Sequence, residues 1–232
     1  MSEATKIKNI VFVHGAFADG SSWSKVLPLL IKAGYHVTSV QNPLTSFQDD
    51  VAAVKRAIAV QEGPVLLVGH SYGGVVITEA GNDPKVAGLV YVAAFAPGAH
   101  ESIVDISKDF PKPAGLDKVV PQPDGFLLLS ADGIATAFAQ DLSEEEKAVL
   151  TAVQPQTAGA IFVAQPTSAA WEHKPSSYII STNDHMIAPE QQIAMAKRIN
   201  AKTTTLPSSH AVMLSHPSAV ARVIEDAAAA AL

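Results

Sequence analysis

Val65-Leu66-Leu67-Val68-Gly69-His70-Ser71-Tyr72-Gly73-Gly74-Val75-Val76-Ile77-Thr78-Glu79-Ala80 is the stretch that decides the fold. Its first four residues are apolar with no polar alternation, the pattern of a strand buried on both faces. From Val75 the chain is apolar enough to pack as a helix, and a tight turn joins the two. Such a turn forces Ser71 into a strained backbone conformation. It needs small residues two before and two after the serine, because a Cβ there would strike the neighbouring strand or helix. Gly69 and Gly73 meet that requirement. The turn aims the Ser71 hydroxyl out at the carboxyl end of a sheet and sets the Tyr72 amide at a helix N-terminus, where it can donate to a developing oxyanion. Ser71 is therefore the candidate nucleophile, and Tyr72 a candidate oxyanion-hole residue.

Working outward, Ile10-Val11-Phe12-Val13, Tyr35 to Val40 and Val86 to Val92 read as further strands buried on both faces. Helical spacing puts Trp23, Val26, Leu27, Leu30 and Ile31 on one face before Gly34, and Val51, Val54 and Ile58 on another before Gly63. Strand and helix alternate again at Ser177 to Ser181, Pro189 to Ile199 and Thr203 to Leu206, with a last helix from about Pro217. Such alternation predicts an α/β fold with a mostly parallel central sheet and helices on both faces. Residues 96–174 break it. They are rich in proline, and their clearest helix signal is Ser143-Glu144-Glu145-Glu146, a capping box. We read 1–95 and 175–232 as the core and 96–174 as an inserted, mainly helical cap. The alanines from Ala227 to Ala231 read as the frayed end of a helix.

The chain has 232 residues, enough for one domain with a sizeable core, and its 48% hydrophobic and 16% charged residues exclude a disordered protein. A formal charge of −6, with no run of Lys or Arg, argues against nucleic acid as a partner. Without cysteine there is no thiolate metal site, disulfide framework or cysteine nucleophile. Met1 to Lys6 lack the pattern of a signal segment, and no apolar run is long enough to span a bilayer. The expectation is a cytoplasmic protein with no membrane partner, its oligomeric state open, a homodimer included.

A serine hydroxyl needs a base held by a third group. Of eight histidines, His210 follows the strand Thr203 to Leu206 and precedes the final helix, so the sheet's carboxyl edge delivers it to the site. His216 fits a capping or surface role, and His36, His100 and His173 structural or solvated ones. Asp184, in the turn between Ile179-Ile180-Ser181 and the helix opening at Pro189, stands at the same edge. An Asx-turn is its alternative role. His185, one residue on, has no carboxylate to orient it. The order Ser71, Asp184, His210 is the α/β-hydrolase order. A second oxyanion donor is expected after the first strand, where Gly15 allows close approach: the Ala16 amide, with Phe17 as the alternative. His14 is read as a prop for that loop.

The segments Val11-Phe12-Val13-His14-Gly15-Ala16, Trp23, Leu27-Pro28-Leu29-Leu30, Gly34 to Thr38, Gly69 to Gly74 and Ser209 to Leu214 together resemble the hydroxynitrile lyase and plant methylesterase group of the α/β-hydrolase superfamily and its bacterial esterase relatives. The resemblance implies Ser71, Asp184 and His210 as a catalytic triad, with Ala16 and Tyr72 lining the oxyanion hole. Members that cleave cyanohydrins carry Thr in place of Gly15 and Lys directly after the catalytic His, where this chain has Ala211. Ester hydrolysis is therefore expected, without metal or organic cofactor. Members of the fold with Asp at the elbow, haloalkane dehalogenases and most epoxide hydrolases, are disfavoured by Ser71. The cap reads as shorter than in the plant enzymes, so their substrates do not carry over.

The cap aromatics Phe126, Phe138, Phe162 and Trp171, with Phe17 and Phe95, are expected to wall a pocket for a small or medium neutral ester. Two alternatives stay open. One is lyase or cofactor-independent oxygenase chemistry with His210 as base on the substrate itself; the other is a non-catalytic ligand-binding role.

Overall fold

A computed structural model describes residues 7–231. Six strands form the central sheet: β1 (Asn9–Val13), β2 (His36–Val40), β3 (Val65–His70), β4 (Val86–Val92), β8 (Ser176–Ser181) and β9 (Lys202–Leu206). Their order is β2-β1-β3-β4-β8-β9, and every pairing is parallel. The helices that link or flank them are α1 (Leu27–Lys32), α2 (Phe47–Ala59), α3 (Gly73–Ala80), α7 (Pro189–Arg198), α8 (Val212–Ser215) and α9 (Pro217–Ala230). β1 and β3 are buried throughout, as their unbroken apolar runs predict. The turn after β3 therefore opens mid-sheet, flanked by the loops after β1 and β4.

Three expectations for the core need correction. β2 is an edge strand whose His36 is exposed and whose next three residues are half-buried, so its apolar content does not mark burial on both faces. The run from Trp23 to Ile31 is not one helix. A 3₁₀ turn covers Gly20–Trp23 and α1 starts afresh with Pro28 in its first turn, because a proline ring inside a helix clashes with the preceding turn and removes a donor. The new phase buries Trp23, Val26 and Leu30 but leaves Ile31 58% exposed. The alanine-rich tail is not frayed either. Ala227 and Ala228 are buried in α9, and a Cβ on Gly88 of β4 would lie 3.0 Å from that of Ala231.

Between β4 and β8 the chain makes α4 (Ile103–Ser107), α5 (Ala131–Gly133) and α6 (Glu144–Val153), several short 3₁₀ turns, and a small sheet. In α6 the Ser143 and Glu146 side chains exchange bonds with each other's backbone, as the sequence pattern foretells. The sheet, β5 (Val119–Pro121), β6 (Phe126–Leu129) and β7 (Thr157–Ala158), is antiparallel and adds a feature that a mainly helical reading lacks. Its signal was Asp124-Gly125, both at positive φ (60° and 80°), the dipeptide that a tight hairpin favours. Among the described residues no helix is long and apolar enough to cross a membrane.

Candidate active site

At the end of β3, Ser71 adopts φ 53°, in the left-handed region that a non-glycine residue enters only under constraint. The glycines around it are sterically required. A Cβ on Gly73 would stand 2.4 Å from the Val13 carbonyl oxygen, and one on Gly69 2.7 Å from that of Gly73. The Ser71 carbonyl accepts from the amides of Gly74 (3.0 Å) and Phe95 (3.1 Å), which ties the turn to α3 and to the loop after β4.

Asp184 lies in the turn after β8 and is buried. Both of its oxygens are engaged. Oδ1 accepts from the amides of Met186 (2.7 Å) and Ile187 (3.0 Å), so the Asx-turn exists, while Oδ2 pairs with Nδ1 of His210 at 2.7 Å. The two roles weighed for Asp184 are thus compatible. Oδ2 also accepts from Nε2 of Gln192 at 2.8 Å, and that side chain is fully buried. Gln192 accepts from the Ser181 amide at 3.0 Å and donates to the Ile187 carbonyl, also at 3.0 Å, which fixes which end of its amide faces the carboxylate.

His210 is 1% exposed and sits between the rings of His70 (centroids 4.5 Å apart) and Phe138 (5.0 Å). A carboxylate only accepts, so Nδ1 carries the proton in this pair, and Nε2 is the ring nitrogen left for another partner. His210 and Ser71 line one and the same cavity. His70 donates from Nε2 to the His210 carbonyl at 2.9 Å. Burial first, then the nearby His210, drives the His70 pKa well below the usual range and keeps that ring neutral. The segment between β4 and β8 holds the same loop: the Ala211 amide donates to the Phe138 carbonyl (3.0 Å) and the Ser209 amide to Asp141 Oδ2 (2.9 Å).

Ala16 lines the cavity beside Ser71. The neighbouring Phe17 amide donates to Thr157 Oγ1 at 3.2 Å, so the alternative donor is already engaged. A Cβ on Gly15 would fall 2.7 Å from Ser71 Cβ. The Tyr72 amide sits at the N-terminus of α3, while its side chain turns away and donates to buried Asp50 at 2.7 Å. Burial pushes the Asp50 carboxyl up to about 6, against the pull of the Tyr72 hydroxyl and the Leu44 amide. His14 is buried, its Nδ1 2.9 Å from the Gly15 carbonyl and its Nε2 accepting from the Asn42 amide, in keeping with a propping role. His185 is exposed, with Nδ1 3.1 Å from the Thr136 carbonyl, and His216 stands at the N-cap of α9.

The cavity encloses about 550 Å³. Phe17, Phe95, Phe138 and Phe162 line it, the rings of Phe17 and Phe162 stacking at 6.2 Å. Phe126 and Trp171 do not. Phe126 is half-buried at the start of β6, and the Trp171 ring is held outside by its bond to the Pro97 carbonyl (2.8 Å) and by the Arg198 guanidinium 5.6 Å from its centre. Phe110, Leu116 and Leu127, also between β4 and β8, contribute instead.

The sequence model described as alpha/beta hydrolase family matches residues 10–223. A pyrethroid hydrolase of Sphingobium wenxiniae is 27% identical over 244 residues, covering 95% of this chain and 87% of that protein. Methylesterase 2 of Arabidopsis thaliana is 22% identical over 230 residues, covering 83% of this chain and 84% of its own. The crystal structure of a pyrethroid hydrolase from Sphingobium faniae superposes with a TM-score of 0.81 at 24% identity, over 96% of this chain and 98% of the other.

Proposed function

The chain belongs to the alpha/beta hydrolase family, and from that premise we propose that it is a carboxylesterase-type serine hydrolase working through an acyl-enzyme on Ser71. The observation that supports this most is the His210–Asp184 pair, whose histidine lines the same cavity as a serine held at positive φ. Its relatives include proteins named for ester-cleaving activities, which agrees with ester hydrolysis.

In the proposed reaction His210 Nε2 takes the Ser71 proton as Oγ adds to the ester carbonyl carbon. The amides of Ala16 and Tyr72 donate to the resulting oxyanion, and each donor of this kind is worth about a hundredfold or more in rate. The imidazolium, steadied by Asp184, returns the proton to the departing alkoxide. Water then adds to the acyl-enzyme with His210 again as base, and the acid leaves. A cavity of about 550 Å³ with phenylalanine walls suits a small to medium apolar ester.

Ser71→Ala is expected to leave the fold intact, to lower turnover of p-nitrophenyl acetate at least about a thousandfold and to abolish labelling by a fluorophosphonate. A variant that keeps its activity would instead place His210 as a base on the substrate, as a lyase or oxygenase requires. Wild-type protein that neither turns over an ester nor takes the label would point to a binding role.

A further inference from the structure

Besides Ser71, two bulky residues hold left-handed backbone: Phe17, next to Ala16, at φ 59°, and Leu44, in the loop after β2, at φ 56°. Side chains of this size persist there only where their surroundings hold them. In both cases the amide is caught by a buried side-chain acceptor. Phe17 donates to Thr157 Oγ1 at 3.2 Å, and Leu44 to Asp50 Oδ1 at 2.8 Å. Thr157 and Asp50 have no exposed surface.

These contacts belong to one continuous set. The Tyr72 hydroxyl donates to Asp50 Oδ2 (2.7 Å), and the Leu44 carbonyl accepts from the Ala158 amide (2.8 Å). Ala158 and Thr157 are the two residues of β7, which pair with Phe126 and Leu127 of β6. The path runs from Tyr72 through Asp50, Leu44 and β7 to Phe17, so its ends are the residue offered as one oxyanion donor and the neighbour of the other. Between those ends, Asp50, Leu44, Thr157 and Ala158 do not line the cavity.

We infer that Thr157 of the cap and Asp50 of α2 are positioning residues that set the spacing between the Ala16 and Tyr72 amides, making the cap part of the oxyanion hole's support. The inference rests on the esterase reading above. An oxyanion hole acts only when its donors stand about 3 Å from where the charge develops. A brace that joins the Tyr72 side chain to the neighbour of Ala16 along one buried path serves that need, with Asp50 and Thr157 outside the cavity. Its loss should therefore lower kcat while substrate binding, spread over Phe95, Phe138 and Phe162 as well as Phe17, changes little.

The test uses Thr157→Val, which keeps the shape but removes the acceptor, Thr157→Ser, which restores it, and Asp50→Ala. For each, kcat and KM on p-nitrophenyl acetate are measured with the inhibition constant of a trifluoromethyl ketone, which forms a tetrahedral adduct on serine. The expected result is a tenfold or greater fall in kcat for Thr157→Val and Asp50→Ala, with KM within about twofold and a parallel weakening of the ketone. Thr157→Ser should regain most of the loss. The brace is overturned if folded Thr157→Val keeps kcat within twofold of wild type, if kcat falls only in step with a rise in KM, or if serine performs no better than valine. Should Asp50→Ala not fold, Thr157→Val against Thr157→Ser decides alone; should Thr157→Val not fold, Thr157→Ala, which also lacks the acceptor, takes its place under the same criteria. Wild-type protein that fluorophosphonate labels, with an unaffected Thr157→Val, sinks the brace and spares the esterase reading. Wild-type protein without label or turnover sinks both.

Discussion

Gln192 shapes the site without lining the cavity. Its Nε2 supplies Asp184 Oδ2 with a second partner beside His210, and its own carbonyl is tied to the Ser181 amide. Replacing it by leucine leaves a buried carboxylate oxygen one donor short and the Ser181 amide unpaired, a loss of about 1–3 kcal/mol for each orphaned group. Gln192→Leu should therefore melt earlier than wild type. Gln192→Glu, which faces Asp184 with a second acid, should melt earlier still above neutral pH and regain part of the difference in acid; equal melting of the two variants at pH 8 would contradict this. Ser71, Asp184 and His210 were legible because each follows a recognisable strand and precedes a helix. Gln192, Asp50 and Thr157 were not. A glutamine in the first turn of a helix reads as solvated, and Thr157 meets Phe17 across 140 residues of chain, a proximity that local pattern does not encode.

At the scale of elements, legibility followed the strength of local chemistry. The capping box of α6 was readable because two residues three apart satisfy each other's backbone. Ser143→Ala should cost about 1 kcal/mol and lower the melting temperature, and faster amide exchange in the first turn of α6 would localise the effect. Exchange rates unchanged there would refute it. α1 was misread because the apolar spacing from Trp23 to Ile31 suits a helix, and only Pro28 records the break. Strands four residues long or shorter in the cap carry too few positions for periodicity to register, so the hairpin turn was their only local trace. Trp171 and Phe126 were assigned to the pocket on aromatic character alone, and which way a cap ring points is settled by partners such as Arg198 and Pro97.

For the whole molecule, the parallel sheet and its family followed from the alternation of strand and helix, whereas stability depends on buried groups the pattern does not show. Asp50 binds a proton more tightly in the folded chain, near pH 6, than in the unfolded one. Between its unfolded pKa of about 4 and 6, the folded state thus holds more protons, and this group's contribution falls as pH rises. Above about 6 the full cost of a buried carboxylate applies, up to about 3 kcal/mol. Asparagine can accept from Leu44 and meet the Tyr72 hydroxyl without charge. The melting temperature of Asp50→Asn relative to wild type should climb between pH 4 and 7 and then level off. A difference independent of pH would contradict the assignment.

The bonds from Phe138 and Asp141 to the loop bearing His210 bear on how this scaffold can be re-engineered. Specificity is commonly altered by transplanting the segment over the site, on the premise that the machinery beneath is self-sufficient. Here the donor segment would have to return a carbonyl to the Ala211 amide and a carboxylate to the Ser209 amide. A chimera chosen only for the shape of its new walls would inherit a pocket and lose the loop that makes the pocket useful.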